Sequence, residues 1–279
     1  MSTSCNNDCS SCGVDCPSRK SPQSFLESTN EFSNVKNVIA VVSGKGGVGK
    51  SLVTSLLAKE TRSQGFDVAI LDADITGPSI PKAFGLDEER LYGDGTNVYP
   101  AKTANGISVV SLNLMLDDTS SPAVWRGPII AGTVKQFWTN ANWGDVDYMY
   151  VDMPPGTGDV PLTVFQSLPV KGIVIVTTPQ DLVSMIVEKA FNMAKIMNVP
   201  VIALVENMSY LVCPDCGKKI NVFGESKVAD LASKMGVSTY ASLPIDFSLT
   251  EAVDKGEVEL IGTDYLKSLV DQIIDSYPV

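Results

Sequence analysis

Histidine is absent from all 279 residues. Its absence excludes imidazole general-base catalysis, histidine-ligated zinc and histidine pH switching together. Any soft-metal site must then be built from the six cysteines. Positive charge is also scarce, with 21 Lys and Arg against 32 Asp and Glu and a formal net charge of −11. That balance gives no electrostatic footing for wrapping nucleic acid or lying on an anionic lipid surface, so neither partner is expected. No apolar run is long enough to cross a bilayer, and the N-terminus lacks the basic and apolar regions of a secretory signal. A cytoplasmic location is expected. Aromatic residues make up only 7% of the chain against 44% hydrophobic residues overall, which suits one substantial α/β domain with a sheet covered by aliphatic helices.

Apolar strand-like runs recur at 38–42, 68–72, 107–112, 148–152, 172–177, 201–206 and near 238–243. Between them lie helical patterns, including 50–64, 128–140, 180–197, 225–235 and 262–276. This repeated β-then-α order predicts a doubly wound, mostly parallel sheet. The globular domain is expected over residues 37–279. Residues 1–16 hold four cysteines among Ser, Asn and Asp with almost nothing apolar, and so read as a disordered tail. Residues 17–36 are polar and carry Pro17 and Pro22, which marks a linker with room for a short helix around Phe25. Met185, Met193 and Met197 share a helical face, a spacing that signifies core or subunit contact rather than chemistry.

The segment VIAVVSGKGGVGKS, residues 38–51, places a glycine-rich loop between a buried strand and a helix. Gly44, Gly46, Gly47 and Gly49 let the loop around Lys45 and Val48 curl with its amide hydrogens inward, and the helix adds its positive end. Lys50 then bridges the outer phosphates of a nucleotide and Ser51 ligates magnesium. The same letters satisfy a dinucleotide fingerprint with Asp72 near the distance of a ribose-binding acid. Lys50 decides against that reading, because a cation at a helix N-terminus opposes the macrodipole unless a strong anion sits there.

Two acidic strand ends flank this loop. AILDADITGPS, residues 69–79, ends a strand with Asp72 and Asp74, and strand C-termini in such sheets line the ligand crevice. A helix cap or an acidic turn is the plainer account of either residue. YMYVDMPPGTGD, residues 148–159, ends a strand at Asp152, where a carboxylate could hold magnesium through water. Pro154, Pro155, Gly156 and Gly158 follow as a stiff but bendable segment, with Asp159 a weaker candidate.

The cysteines fall in two groups. In CPDCG, residues 213–217, Pro214 and Gly217 help Cys213 and Cys216 face one point, but two sulfurs are half of a tetrathiolate site. A two-fold dimer would bring the other pair from the second copy. Thiolates suit zinc or iron–sulfur clusters alike, and a lone pair at this spacing also fits a redox couple. In the tail, Cys5, Cys9, Cys12 and Cys16 overlap a ferredoxin spacing and could hold a complete cluster, with zinc or disulfides as alternatives.

Taken together, GKGGVGKS with its extra Lys45, DADITGPSIP, VDMPPGTGD and ENMSYLVCPDCG resemble the Mrp family of P-loop ATPases that carry iron–sulfur clusters, over about residues 37–260. The wider class of dimeric ATPases with this loop also holds nitrogenase iron proteins and MinD and ParA proteins. In it the first lysine reaches into the partner's nucleotide, and Lys45 is the matching position. The resemblance further implies that Asp74 positions the attacking water, Asp72 and Asp152 support magnesium, and Asn207 helps recognise adenine. Arg126 in WRGP is similar to a shared segment and would be a partner contact, with a surface salt bridge as the alternative. The implied cargo is a labile four-iron four-sulfur cluster bridging two subunits at Cys213 and Cys216. Some relatives carry an N-terminal four-cysteine site, although the spacing here is more compact. The implied function is a homodimeric ATPase that receives a cluster from an upstream donor and passes it to apo-proteins. A MinD- or ParA-like positioning ATPase, an electron donor like nitrogenase iron proteins and a zinc-dependent scaffold are the alternatives.

Overall fold

A β-branched run can be buried on both sides only where sheet neighbours take its backbone groups and helices cover its faces. Val38–Val42 meet that condition at the centre of the sheet, where every residue from Asn37 to Ser43 is buried. The computed structural model describes residues 25–74, 79–115, 127–180 and 185–279. The four tail cysteines and Arg126 lie outside them.

In chain order the first half contains β1 (Ser33–Ser43), α1 (Lys50–Ser63), β2 (Val68–Asp72) and α2 (Ser79–Ala83). A small hairpin of β3 (Tyr92–Gly93) and β4 (Val98–Tyr99) precedes β5 (Ala101–Lys102), β6 (Ser108–Ser111) and α3 (Gly127–Asn140). There follow β7 (Gly144–Asp152), α4 (Asp159–Ser167), β8 (Val170–Thr177), α5 (Met185–Ile196) and β9 (Val201–Val212). The chain closes with β10 (Lys219–Ile220), α6 (Val228–Met235), β11 (Tyr240–Ile245), α7 (Phe247–Lys255) and α8 (Lys267–Ser276).

The strands β11, β9, β8, β1, β7, β2 and β6 lie side by side in that order, and each neighbouring pair is parallel. They are the seven runs that alternation of apolar segments predicts. The short strands β5 and β10 add antiparallel pairs to β6 and β9. Period-two alternation sends successive side chains to opposite faces. Ile39 and Val41 of β1 pack with Leu57 of α1, Leu249 of α7 and Val270 of α8. Val38, Ala40 and Val42 pack on the other face with Val134 of α3, Val164 of α4, Ala190 of α5 and Leu231 of α6. Met193 and Met197 pack against this second core, as their spacing predicts. The sheet is therefore doubly wound, with β1 flanked by β7 and β8 at the point where the winding reverses.

Several boundaries differ from the sequence reading. β1 begins at Ser33, inside the stretch read as linker, because Ser33–Val35 pair with Gly144–Val146. From Phe25 onward, among the described residues, no helix forms; instead Glu27 is tied by its amide to Ser167 O (2.8 Å) and by its carbonyl to Trp138 Nε1 (2.8 Å). The helix α4 escaped notice because Pro161 sits in its first turn, where a missing N–H costs little. α7 carries a local signal after all, since Asp246 caps it by accepting the Ser248 amide at 2.8 Å. Among the described residues no helix is long and apolar enough to cross a membrane.

Candidate nucleotide site and thiol knuckle

The loop between β1 and α1 projects from the C-terminal edge of the sheet beside the strand ends Asp72 and Asp152. Gly47 and Gly49 have φ of 78° and 83°, a region costly for any residue with a Cβ. At Gly49 space is also decisive, since a Cβ would stand 2.1 Å from Asn207 Nδ2. That amide donates to Val48 O at 2.9 Å, so Asn207 clasps the loop from β9. Ser43 Oγ donates to Lys45 O at 2.9 Å, and the Gly156 amide donates to Ser43 O at 2.9 Å. No side chain caps the start of α1, which leaves first-turn amides aimed at the loop. Beside them lies a cavity of about 360 Å³ lined by Gly46, Gly49, Lys50, Asp74, Pro155 and Val253.

Beneath the loop is a buried charge cluster. Lys50 is 6% exposed and Asp152 fully buried, with Lys50 Nζ 2.9 Å from Asp152 Oδ2 and 3.4 Å from Asp74 Oδ2. Asp152 accepts from Ser51 Oγ at 2.6 Å and from Thr54 Oγ1 at 2.7 Å. Asp72 accepts from Ser111 Oγ at 2.7 Å and from the Asp74 amide at 3.1 Å. Burial, and after it the charge of Asp152, push the Asp72 carboxyl up to about 8. Both effects favour the protonated carboxyl in the nucleotide-free protein, and a bound cation would oppose them. Burial works against the charge on Lys50, but Asp152, Asp74 and Asp72 outweigh it and raise its pKa.

The arrangement fits a nucleotide phosphate chain. Among the described residues Lys50 Nζ is buried in ionic contact with Asp152 and Asp74 without a well-aligned hydrogen bond, and its donors are of the kind that phosphate oxygens take. The oxygens of Ser51, Asp152 and Asp72 form a hard donor set suited to magnesium. Among the described residues no three acidic or thiol groups converge as a self-sufficient metal site.

The thiols follow the C-terminal end of β9, beyond Asn207. The β9–β10 hairpin turns through the knuckle, with the Cys213 amide donating to Lys218 O at 3.0 Å and the Gly217 amide to Cys213 O at 2.9 Å. Gly217 has φ of 69°, which closes this turn. Cys213 is half-buried and Cys216 exposed, both as free thiols. The backbone amides of Cys216 and Asp215, then the Cys216 side chain, hold the Cys213 thiol below its ordinary range. Val212, Ile220, Val222 and Phe223 expose apolar surface around the pair.

Of the residues singled out in sequence, Gly44–Ser51, Asp72, Asp74, Asp152 and Asn207 thus gather at one edge of the sheet, while Cys213 and Cys216 stand apart on the hairpin. Asp159 begins α4 and Gly156 takes a φ of 89°. Sequence reasoning missed Thr54, although it lies three residues after Ser51 on the same helical face. It also missed Ser111, which only register places beside Asp72.

A family model described as "ParA: NUBPL iron-transfer P-loop NTPase" matches residues 34–276. A Clostridium perfringens protein named iron-sulfur cluster carrier protein is 46% identical over 247 residues, spanning 86% of this chain and 87% of its own length. A Methanocaldococcus jannaschii protein of the same name is 38% identical over 280 residues, spanning 97% of each chain. A solved nucleotide-binding protein from Archaeoglobus fulgidus in complex with ADP aligns at TM-score 0.76 and 43% identity, over 84% of this chain and 91% of that one. MinD from Aquifex aeolicus, at TM-score 0.60 and 20% identity over 86% and 96% of the two chains, shares the fold. The chain belongs to the NUBPL iron-transfer P-loop NTPase family.

Proposed function

We propose that this protein is an ATP-hydrolysing iron–sulfur cluster carrier that holds its cargo on Cys213 and Cys216 and delivers it to apo-proteins. The observation that carries the reading is the pairing of a P-loop over a buried Lys50–Asp152 contact with two free thiols on one hairpin. The names of the relatives support the cargo, and the ADP complex of the Archaeoglobus fulgidus protein supports the nucleotide.

Phosphate oxygens of ATP enter the cradle of the Gly46–Gly49 amides and take the donors of Lys50. Ser51, Asp152 and Asp72 would hold magnesium, which when bound offsets phosphate charge. Asp74, at the cavity wall, orients the attacking water, while Lys45 serves the nucleotide of a second copy and Asn207, besides clasping the loop, helps recognise adenine. Fixed charges placed in advance around the transferring group are the main source of rate in such sites. Two thiols from each of two copies complete four ligands, so the carrier is a homodimer and the cargo a four-iron four-sulfur cluster. Upstream donors and apo-protein recipients meet the exposed Cys216 side of the knuckle.

Iron, sulfide and zinc analysis of protein purified without oxygen tests this function, with Cys213→Ala as comparison. Iron and sulfide in equal amounts, lost in the variant, are expected. Stoichiometric zinc with neither would overturn the reading in favour of a zinc-stabilised scaffold.

A further inference from the structure

Strand β9 carries the clasp on the phosphate loop at Asn207 and leads directly, six residues later, into the first thiol of the knuckle. Between them its pairing with β11 is irregular. Glu206 faces Ser242 and Tyr210 faces Pro244, so four steps along β9 match two along β11. The surplus is a bulge at Asn207, Met208 and Ser209. Met208 takes a φ of 58°, in the left-handed region, and its amide donates to Asn207 Oδ1 at 2.9 Å.

The bulge is pinned on both faces of the sheet. Asn207 reaches the α1 face, where it holds Val48 O and packs against Gly49. Glu206, one residue earlier, lies on the face of Leu204 and is fully buried. Ser209 Oγ donates both to the Glu206 backbone carbonyl, at 3.1 Å, and to Glu206 Oε2. Glu206 Oε1 has no hydrogen-bond partner among the described residues. A buried polar oxygen without a partner is costly, and here the other Glu206 oxygen closes the bulge.

Resting on the carrier reading above, we propose that Glu206 and Ser209 are positioning residues of a relay in β9. The relay transmits the state of the phosphate loop to Cys213 and Cys216. Occupancy of the loop displaces Val48 and Gly49 relative to Asn207; the bulge, set in a less-populated backbone region and locked by the Ser209–Glu206 contact, passes that displacement along the strand to the hairpin.

The test reads thiol reactivity in the metal-free full chain, with alkylation of Cys213 and Cys216 resolved by mass spectrometry with and without saturating ADP. Calorimetry confirms ADP binding for every protein. ADP is expected to change the Cys213 rate about five-fold or more in the native chain. Ser209→Ala should bind ADP and lose that change, and Ser209→Thr, which keeps a hydroxyl, should restore it. An unchanged Cys213 rate with ADP bound, or a full response in Ser209→Ala, would overturn the relay while leaving the carrier function standing. Absence of ADP binding to the native chain would instead overturn the nucleotide reading and the relay with it. Should Ser209→Ala fail to fold, Glu206→Gln takes its place with the same two readings.

Discussion

Asp72 and Asp152 are register partners on adjacent parallel strands, 2% and 0% exposed, with one ammonium, Lys50, beneath the loop to serve them. Two buried carboxylates so placed cannot both ionise cheaply, and of the two it is Asp152 that Lys50 contacts, at 2.9 Å. This relation gives the nucleotide-free protein a distinct electrostatic signature.

The first prediction concerns pH. The folded-state pKa of Asp72, pushed up to about 8 by burial and by Asp152, lies above its unfolded value. The folded chain then binds more protons than the unfolded one across that interval, so stability should fall as pH rises from about 4 to about 8. Thermal melting of magnesium- and nucleotide-free protein should show the decline, and Asp72→Asn should flatten it. Parallel melting profiles for the two proteins would contradict the assignment.

Lys50→Met removes the cation and leaves Asp152 buried without its charge partner. Loss of one member of a buried pair costs about 3–5 kcal/mol. Urea unfolding at neutral pH should show a loss of that order, and adding Asp152→Asn should recover part of it without restoring ATP binding. A Lys50→Met protein as stable as the native chain would remove the pair from the account.

Gly49→Ala faces two obstacles, a φ of 83° and a Cβ 2.1 Å from Asn207 Nδ2. The backbone alone costs about 1–2 kcal/mol, and the clash adds to it by expelling the Asn207 clasp. ADP affinity measured by calorimetry should fall about ten-fold or more, since 1.4 kcal/mol is a factor of ten. Native affinity in this variant would mean that the loop conformation differs from the one described.

Cys213 should alkylate at lower pH than an ordinary thiol, because amide donors stabilise its thiolate. Cys216→Ala removes only the side-chain part of that effect, so the Cys213 profile should move up in pH without returning to the ordinary range. A pH–rate profile of iodoacetamide labelling checks this, and a Cys213 midpoint at the free-cysteine value would show that the amides do not face the sulfur.

Much of this protein is legible in one dimension. The seven apolar runs become the seven parallel strands because strand burial is a local property of β-branched sequence between turns, and the P-loop glycines announce themselves because positive φ has few other tenants. The Cys213–Cys216 knuckle is equally local, a turn of five residues. Thr54 could have been read from its helical spacing to Ser51.

Other features depend on which strands become neighbours, which no local signal specifies. Only the sheet order puts Asp72 beside Asp152, and only register puts Ser111 under Asp72, so the raised pKa belongs to the fold rather than to any motif. The same holds for β9. Sequence shows ENMSYLVCPDCG as one continuous segment, but only pairing with β11 shows that it is a strand that bulges at Asn207, is locked by Glu206 and Ser209, and continues to the thiols. Local chemistry named the candidate groups; long-range packing set their distances and their charges.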